Sequence, residues 1–247
     1  MSNLQTAAVS FAKPQKRDRL QALESSGLTA RLAIDSETRA DAFGLRYLSY
    51  LSGGYIDPTP SGLFQDADDE RPNCQSIVIY KHARPVASVR LCILDSDGHR
   101  GYTEIPANRI FPEDVETLLA SVSTSQRPSK ATEINRLVRH PDFATDVELV
   151  FVLFRFVSFM VLKEGSDMML SCVRRNHTPF YKRLNFQNVA GPRKYAGVKF
   201  ETNLMACPEQ DYTANLQNFP IVDSRAVETG AYDGLFRGET VNVFGSK

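Results

Sequence analysis

The sequence contains no tryptophan and few cysteines or histidines, which argues against several classes of site. Its four cysteines are far apart and form no C-x-x-C pair, and its four histidines are equally scattered. Structural zinc sites need closely spaced ligands, and disulfide scaffolds need dense cysteines. We therefore predict no bound metal and four reduced thiols, those of Cys74, Cys92, Cys172 and Cys207.

Neither sign of charge is in excess. The 247 residues include 29 basic and 29 acidic side chains, so the formal net charge is zero. No global positive field favours nucleic acid, and the sequence has no RRM, KH or helix-turn-helix signature. With 42% hydrophobic residues, the chain has an ordinary globular composition and can form one large domain or two small ones.

A membrane-spanning run is also missing. The main apolar run, residues 149–162, is interrupted by Arg155 and Ser158, whereas a span needs about 20 apolar residues. Basic residues near the N-terminus are not followed by an apolar segment, as a secretory signal would require. We predict a cytoplasmic protein in which this run forms a buried helix.

The most informative stretch of the sequence is a strand followed by that helix. The segment TEINRLVRH suits a strand. Downstream, a capping box of Thr145 and Glu148 predicts the helix start, and Gly165 predicts its end. Glu133 and Arg136 lie inside the predicted strand, where charge is costly unless it is paired or used. This conflict marks the strand as a candidate functional element.

An earlier predicted helix, residues 35–52, carries an arginine in an aromatic stripe. Arg46 falls on the same helical face as Phe43, Tyr47 and Tyr50. Two interpretations are open: the arginine stem covers the edge of the stripe, or the guanidinium turns into a cleft.

The loop that follows, residues 55–71, carries five acids and no base before Arg71. Loops of this length in a compact domain are usually functional or disordered. The acids can form a solvated turn or a carboxylate site for an amine or another cation. They are Asp57, Asp66, Asp68, Asp69 and Glu70.

A β-hairpin is predicted over residues 75–94. Alternation places Arg90 in the middle of its second strand. An arginine at that position needs an acidic partner, for which Asp66, Asp69 and Glu133 are the candidates.

A basic run occupies residues 168–200, which contain seven basic side chains and no acid. A solvated surface and a docking face for an acidic partner or a phosphate group are both open. The basic residues are Arg174, Arg175, Lys182, Arg183, Arg193, Lys194 and Lys199.

The order of strands, buried helix and the late segment YKRLNF resembles the GNAT acyltransferase superfamily. Over about residues 35–205 the chain resembles more closely the branch of autoinducer synthases and N-acyl amino acid synthases. Matching positions are Arg46 and Tyr50 on the first helix, Asp66 and Asp69 in the loop, Ser88, Arg90 and Leu91 in the hairpin, and Glu133 and Arg136 in the central strand.

The resemblance implies an α/β (α+β) fold with a central mixed, mostly antiparallel, splayed sheet flanked by helices. The acyltransferase domain is expected at residues 31–207, with its first strand at residues 32–34. Residues 1–30 are expected to be a flexible leader or lid, and residues 208–247 a C-terminal extension packed on the domain or trailing from it.

Two departures from the branch bear on the substrates. Acyl-homoserine-lactone synthases usually carry a tryptophan after the first helix, where this chain has Tyr55, which favours the N-acyl amino acid branch. The superfamily's glycine-containing pyrophosphate loop is replaced by residues 139–144, which contain no glycine. A carrier-protein phosphopantetheine arm needs that loop less than free coenzyme A does.

By resemblance, the protein is expected to move a long-chain acyl group from acyl carrier protein, or from acyl-CoA, to the amine of an amino acid. Glu133 is the expected general base, and Tyr181 the proton donor to the leaving thiolate. No permanently bound cofactor and no metal are expected. The expected substrate contacts are Arg46, Tyr50, Tyr55, Asp66, Asp69, Arg90 and Arg136. The expected carrier-protein docking residues are Arg174, Arg175, Lys182, Arg183, Arg193 and Lys194.

Three alternatives stay open. The charged residues can form a structural salt-bridge network, with or without a catalytic role. The enzyme can be an acyl-homoserine-lactone synthase that consumes S-adenosylmethionine. The chain can also be a non-catalytic module that binds an acyl ligand or a carrier protein. No transmembrane segment is expected, although a lipid product would allow peripheral membrane contact.

Residue parity adds one structural prediction. Glu133 and Arg136 are three positions apart, so a regular strand would direct them to opposite faces. A β-bulge would bring both to one cleft. GNAT folds splay their central strands with such a bulge, and we predict one between Glu133 and Leu137.

Overall fold

The computed structural model describes residues 24, 26–95, 101–123, 129–226 and 230–245. These residues form one sheet of eight strands with helices on both faces. The strands are β1 (Leu28–Leu32), β2 (Cys74–Lys81), β3 (Arg84–Asp95), β4 (Lys130–Arg139), β5 (Met168–Val173), β6 (Gln187–Lys194), β7 (Glu201–Pro208) and β8 (Val241–Asn242). The helices are α1 (Ser36–Ser52), α2 (Pro106–Ile110), α3 (Pro112–Val122), α4 (Glu148–Glu164), α5 (Thr178–Arg183) and α6 (Glu209–Asn215).

The strand order is β6-β7-β5-β4-β3-β2-β1-β8, and the pair β4–β5 runs parallel between antiparallel neighbours. Within the described sheet, β4 and β5 pair only from Ala131 opposite Met168 to Glu133 opposite Leu170. Beyond Glu133 the two strands separate, so their facing edges lose the ladder. The mixed, mostly antiparallel, splayed sheet predicted above is confirmed.

The first strand differs from its prediction. It spans Leu28–Leu32 rather than residues 32–34, and alternate residues along it are buried. That alternation is the pattern of a half-buried strand. β1 pairs with β2 on one side and with β8 on the other, so the predicted domain start at residue 31 lies inside a strand. Most of the predicted leader, residues 1–23 and 25, lies outside the described residues.

The C-terminal residues pack on the same core. Tyr232, Leu235 and Val243 are buried in one cluster with α4. Arg155 of α4 is also buried, and its Nε donates a hydrogen bond of 2.8 Å to the Tyr232 hydroxyl. Its guanidinium also donates to two backbone carbonyls of the C-terminal segment. These bonds explain how a charge is tolerated in the middle of an apolar helix.

Helix α1 begins and ends as predicted. Asp35 Oδ1 accepts the backbone N–H of Thr38 at 2.8 Å, and Gly53 follows the last helical residue. This side-chain cap satisfies one of the unpaired donors of the first turn. The buried face of the helix includes Phe43, Arg46 and Tyr50.

The predicted cap of α4 is wrong. Asp146, rather than Thr145, accepts the backbone N–H groups of Glu148 and Leu149, at 3.1 and 3.4 Å. A carboxylate at this position also interacts favourably with the helix dipole, which a threonine hydroxyl does less strongly. Gly165 ends α4 as predicted, in the left-handed conformation at φ +63°. Among the described residues, no helix is long and apolar enough to cross a membrane.

The predicted β-bulge is present in β4. Ser88 of β3 lies opposite Val138, and Arg90 lies opposite Asn135. Three steps along β4 therefore match two steps along β3, which is the signature of a bulge. Arg136 is at the bulge, with φ +48°. Because of the extra residue, Arg136 lies on the same face of the sheet as Asn135, and so as Glu133, instead of facing α4.

Candidate active site

Three buried arginines and two aspartates form a network over the centre of the sheet. Arg46 Nη1 lies 2.7 Å from Asp69 Oδ1. Arg90 Nη1 lies 2.5 Å from Asp66 and 2.9 Å from Asp69. Arg136 Nη2 lies 2.6 Å from the other oxygen of Asp66. The structure thus brings together five residues that lie up to 90 positions apart in the sequence.

The acidic loop is ordered by its own carboxylates. It forms a 3₁₀ turn over Ala67–Glu70, in which Asp66 accepts from Asp68 N at 3.0 Å. Asp69 Oδ2 in turn accepts from Asp66 N at 2.9 Å. Asp68 and Asp69 are buried, so the solvated-turn interpretation is wrong for this part of the loop. Burial alone would raise the pKa of Asp66, but Arg90 and Arg136 hold that pKa well below its usual range.

Arg46 does not turn into a cleft. Its side chain is fully buried, and its second terminal nitrogen donates to Ser76 Oγ at 2.6 Å. With both terminal nitrogens bound to protein groups, Arg46 holds the acidic loop in place, and it does not line the cavity described below. Arg90 is similarly buried, and its Nε donates to Asn135 Oδ1 at 2.8 Å.

Glu133 is buried on the face of the sheet that also carries Asn135 and Arg136. One oxygen, Oε2, accepts the backbone N–H of Ala107 at 2.7 Å, so the start of α2 fixes the side chain. The other oxygen, Oε1, has no hydrogen-bond partner in the described part of the chain. Burial raises the pKa of Glu133 to about 7, even though Ala107, Asn135 and Arg90 each lower it. The carboxyl group is therefore poised to exchange a proton near neutral pH.

A cavity of about 310 Å³ opens where β4 and β5 diverge. Four of the predicted residues line it: Tyr50, Arg136, Arg174 and Tyr181. Its wall on the α4 side is partly apolar, because Val147, Val150 and Phe180 contribute to it. Glu133, Asp66, Asp69, Arg46, Arg90 and Tyr55 do not line this cavity.

Tyr181 approaches the cavity from α5. Its hydroxyl oxygen lies 3.2 Å from Ser171 Oγ, whose single proton is donated either to Tyr181 or to the Ile134 carbonyl at 2.7 Å. Burial raises the pKa of Tyr181 to about 12, so the phenol keeps its proton at neutral pH. A protonated hydroxyl at this position can donate to a group in the cleft.

Tyr55 packs against Arg174, which lines the cavity. The guanidinium carbon of Arg174 is 4.2 Å from the centroid of the Tyr55 ring and 5.2 Å from that of Phe200. Arg174 also lies 2.9 Å from His177 Nε2. Stacking fixes the plane of the guanidinium without neutralising its charge.

The predicted docking residues are distributed over different parts of the surface. Arg193 donates to the Ile110 carbonyl at 2.7 Å and lies 3.4 Å from Asp114, both on the α2–α3 side. The exposed Lys182 and Arg183 are on α5, which packs on the opposite face of the sheet. The basic run is therefore not one continuous face.

Several residues of the site are not among those predicted from the sequence. Asn135 lines the cavity, and its position two residues after Glu133 predicts the same face. Cys172 also lines the cavity, although it reads in sequence as an ordinary strand residue. Phe64 and Tyr195 each place a ring centroid 4.9 Å from the Arg136 guanidinium carbon. Both belong to irregular segments, where periodicity predicts nothing.

Comparison with known proteins assigns the chain to a protein family. The family described as N-acyl amino acid synthase FeeM matches residues 41–208, more than half of the chain. This range contains the bulge, the charged network and the diverging strands. No curated protein matches the sequence at a significant level.

Solved structures of low sequence identity share the fold. FeeM from uncultured soil microbes superposes with a TM-score of 0.60 at 15% identity, over 76% of this chain and 94% of that chain. BjaI, a CoA-dependent acyl-homoserine lactone synthase solved with MTA, gives 0.55 at 15% identity, over 78% and 89%. A Lactobacillus plantarum protein described as a candidate N-acetyltransferase gives 0.50 at 14% identity, over 74% and 98%.

Proposed function

The chain belongs to the N-acyl amino acid synthase FeeM family and is a GNAT-fold acyltransferase, and we propose that it moves a long-chain acyl group from a phosphopantetheine thioester to the amine of an amino acid. Glu133 carries the proposal: it is a buried carboxylate beside the cleft, with one unpartnered oxygen in the described residues. Its pKa of about 7 suits a general base at neutral pH.

In the proposed reaction, the neutral amine attacks the thioester carbonyl carbon, and a carbon–nitrogen bond forms. Glu133 accepts one amine proton, directly or through one water. The carbon–sulfur bond then breaks, and the leaving thiolate takes a proton from Tyr181, which recovers it from Glu133 through solvent. The products are an amide and a free thiol.

The oxyanion of the intermediate needs hydrogen-bond donors. Within the described ladders, Arg136 and Leu137 pair with neither β3 nor β5. The backbone N–H groups of these two bulge residues are our candidates for those donors. Donors that are fixed before the reaction stabilise developing charge without reorganisation, an effect of about 3 kcal/mol for one donor in other enzymes.

The charge of the network favours an acceptor with a carboxylate. Arg46, Arg90 and Arg136 face two aspartates, Asp66 and Asp69, so the inner network holds one excess positive charge. Asp68 lies 3.7 Å from Arg90 but is closer to two arginines outside the inner network, Arg71 at 3.3 Å and Arg109 of α2 at 2.5 Å. Of the three inner arginines, Arg136 lines the cavity, and it is our candidate for the acceptor carboxylate.

The same geometry argues against S-adenosylmethionine as the acceptor. The aromatic rings that would hold a sulfonium are those of Tyr50, Phe64 and Tyr195. All three already surround the Arg136 guanidinium, at 5.8, 4.9 and 4.9 Å. A sulfonium there would lie beside a like charge with no free carboxylate from the inner network. The acyl-homoserine-lactone reaction is therefore the second candidate.

Two arginines at the cavity support a phosphate-bearing donor. Arg139 and Arg174 both line the cavity, one from each of the diverging strand ends. Arg139 donates to the Asp146 carbonyl at 2.7 Å, and Arg174 is stacked on aromatic rings. We assign them to the phosphate of a phosphopantetheine arm, which acyl carrier protein and acyl-CoA share. Exposed Arg175, Lys182 and Arg183 nearby favour an acidic carrier protein.

The proposal is tested by mass spectrometry of lipid extracts from cells that overproduce the protein, its Glu133→Gln variant or a Glu116→Gln control on the exposed face of α3. We expect new N-acyl amino acids with the wild type and the control but not with Glu133→Gln. The products would name the acyl chain and the acceptor. Acyl-homoserine lactones would establish the second candidate instead. Neither product, from folded protein, would refute an acyl transfer to amines and favour a binding module.

A further inference from the structure

Several buried polar atoms have no hydrogen-bond partner in the described part of the chain. They include Oε1 of Glu133 and the hydroxyl oxygen of Tyr195. More than nine-tenths of buried polar groups in native proteins are paired, and an unpaired one costs about 1–3 kcal/mol. A ligand that donates hydrogen bonds to both would offset this cost.

Tyr195 is held rigidly over Arg136. It follows β6, and the loop after it folds back over the end of α1, where Lys199 N donates to the Tyr55 carbonyl at 2.9 Å. Gly197 of this loop lies beside the Phe64 ring and has a φ of +79°, a conformation that favours glycine. Tyr195 is only 7% exposed. Its ring lies over Arg136, which lines the cavity, and its hydroxyl is left without a partner among the described residues.

The Tyr195 hydroxyl lies near Glu133, the proposed general base. Burial, followed by the nearby Glu133, raises the pKa of Tyr195, so its hydroxyl stays neutral. Burial and Glu133 also raise the pKa of the Cys172 thiol. A neutral hydroxyl and a carboxylate both accept hydrogen bonds, so the two groups together form a site for a hydrogen-bond donor.

A neutral primary amine has two N–H bonds and one lone pair. If one N–H is donated to Glu133 and the other to Tyr195, the lone pair remains free for the thioester carbonyl. A secondary amine has a single N–H and leaves one of the two buried groups unpaired. Sites built around hydrogen bonds discriminate strongly against analogues that lack a donor.

We propose that Tyr195 is a specificity-determining residue that, together with Glu133, holds the amino group of the acceptor and selects primary over secondary amines. The inference rests on the proposed function, because it assigns the acceptor end of the same reaction. It adds a residue from the β6–β7 loop to the residues already assigned to the site.

The test compares full-length wild type with Tyr195→Phe, which keeps the ring over Arg136 and removes only the hydroxyl. KM and kcat are measured for an amino acid and for its N-methyl derivative at saturating acyl donor. Tyr80→Phe is the matched control, because it removes a buried phenol that bonds Asp41 at 2.7 Å, away from the cavity. Thermal unfolding verifies that each variant is folded.

We expect the wild type to prefer the primary amine. Tyr195→Phe should raise KM for it about tenfold, the equivalent of one hydrogen bond, and should narrow the preference over the N-methyl derivative. KM for the acyl donor should not change, and Tyr80→Phe should behave as wild type. A folded Tyr195→Phe with unchanged amine KM and preference refutes the inference alone. A wild-type protein that acylates no amine refutes the proposed function as well.

Discussion

Replacing Glu133 by glutamine should abolish most activity and, unusually for a buried site residue, should favour the folded protein at alkaline pH. Glutamine has the same shape, and its side-chain oxygen can still accept the hydrogen bond that Ala107 N donates at 2.7 Å. What it loses is the charge that burial opposes. Residues of this kind exemplify the trade-off between stability and activity.

The sign and the size of this stability effect follow from the pKa of Glu133. The pKa of Glu133 rises from an ordinary 4.5 to about 7 because the side chain is fully buried. Between these two pH values the folded protein keeps a proton that the unfolded chain has lost. The stability that this proton provides is complete below pH 4.5 and is lost as the pH rises through 7. Its full size is about 3 kcal/mol.

The assay is urea unfolding of wild type and Glu133→Gln at pH 5 and pH 8, with Glu116→Gln as the exposed control. Other titrating groups affect both proteins equally and cancel in the comparison. We expect the stability difference to shift by about 2–3 kcal/mol in favour of glutamine between the two pH values. The control should shift by less than about 0.5 kcal/mol. An equal pH dependence of wild type and Glu133→Gln would refute a buried, proton-binding Glu133.

Three further predictions concern separate parts of the site. Arg46→Met should destabilise the fold by about 3–5 kcal/mol in urea unfolding, because Asp69 would keep a buried charge without its main partner; a loss under 1 kcal/mol would contradict that role. Tyr181→Phe should lower kcat about 100-fold with alkyl thioesters and much less with thiophenyl esters, whose leaving thiolate needs no proton; an equal loss for both would exclude a proton donor. Arg174→Gln should raise KM about tenfold for acyl-phosphopantetheine donors and leave acyl-pantetheine, which lacks the phosphate, unaffected; equal effects on both would point to packing instead.

Much of the fold can be predicted from hydrophobic periodicity and from the residues that cap or end helices. Helix α1, the β2–β3 hairpin and buried α4 are long regular elements, and Asp35 and Gly165 mark two of their ends. The bulge is predicted from residue parity together with the resemblance to GNAT folds, which place such a bulge in their central strands. The start of α4 was misplaced because Thr145 and Asp146 are adjacent capping residues, and only geometry selects the aspartate.

Parts of the site could not be predicted, for a physical reason. Tyr195 and Phe64 lie in irregular segments, so neither a helical nor a strand period indicates their direction. Their roles depend on how two distant loops meet over Arg136. Similarly, the sequence places Arg46 in an aromatic stripe but does not show that Asp69 and Ser76 bind both of its terminal nitrogens. Long-range contacts decide these details.

The bulge links the network to the chemistry. A non-glycine residue held at φ +48° costs roughly 1–3 kcal/mol, and the ion pair of Arg136 with Asp66 helps to hold it there. The same residue brings a cation to the cavity where β4 and β5 part. In the proposed reaction, the buried arginines and aspartates that do not line the cavity would act through the backbone, by fixing the bulge of the central strand. The proposal therefore assigns the charged network a structural and a catalytic role at once.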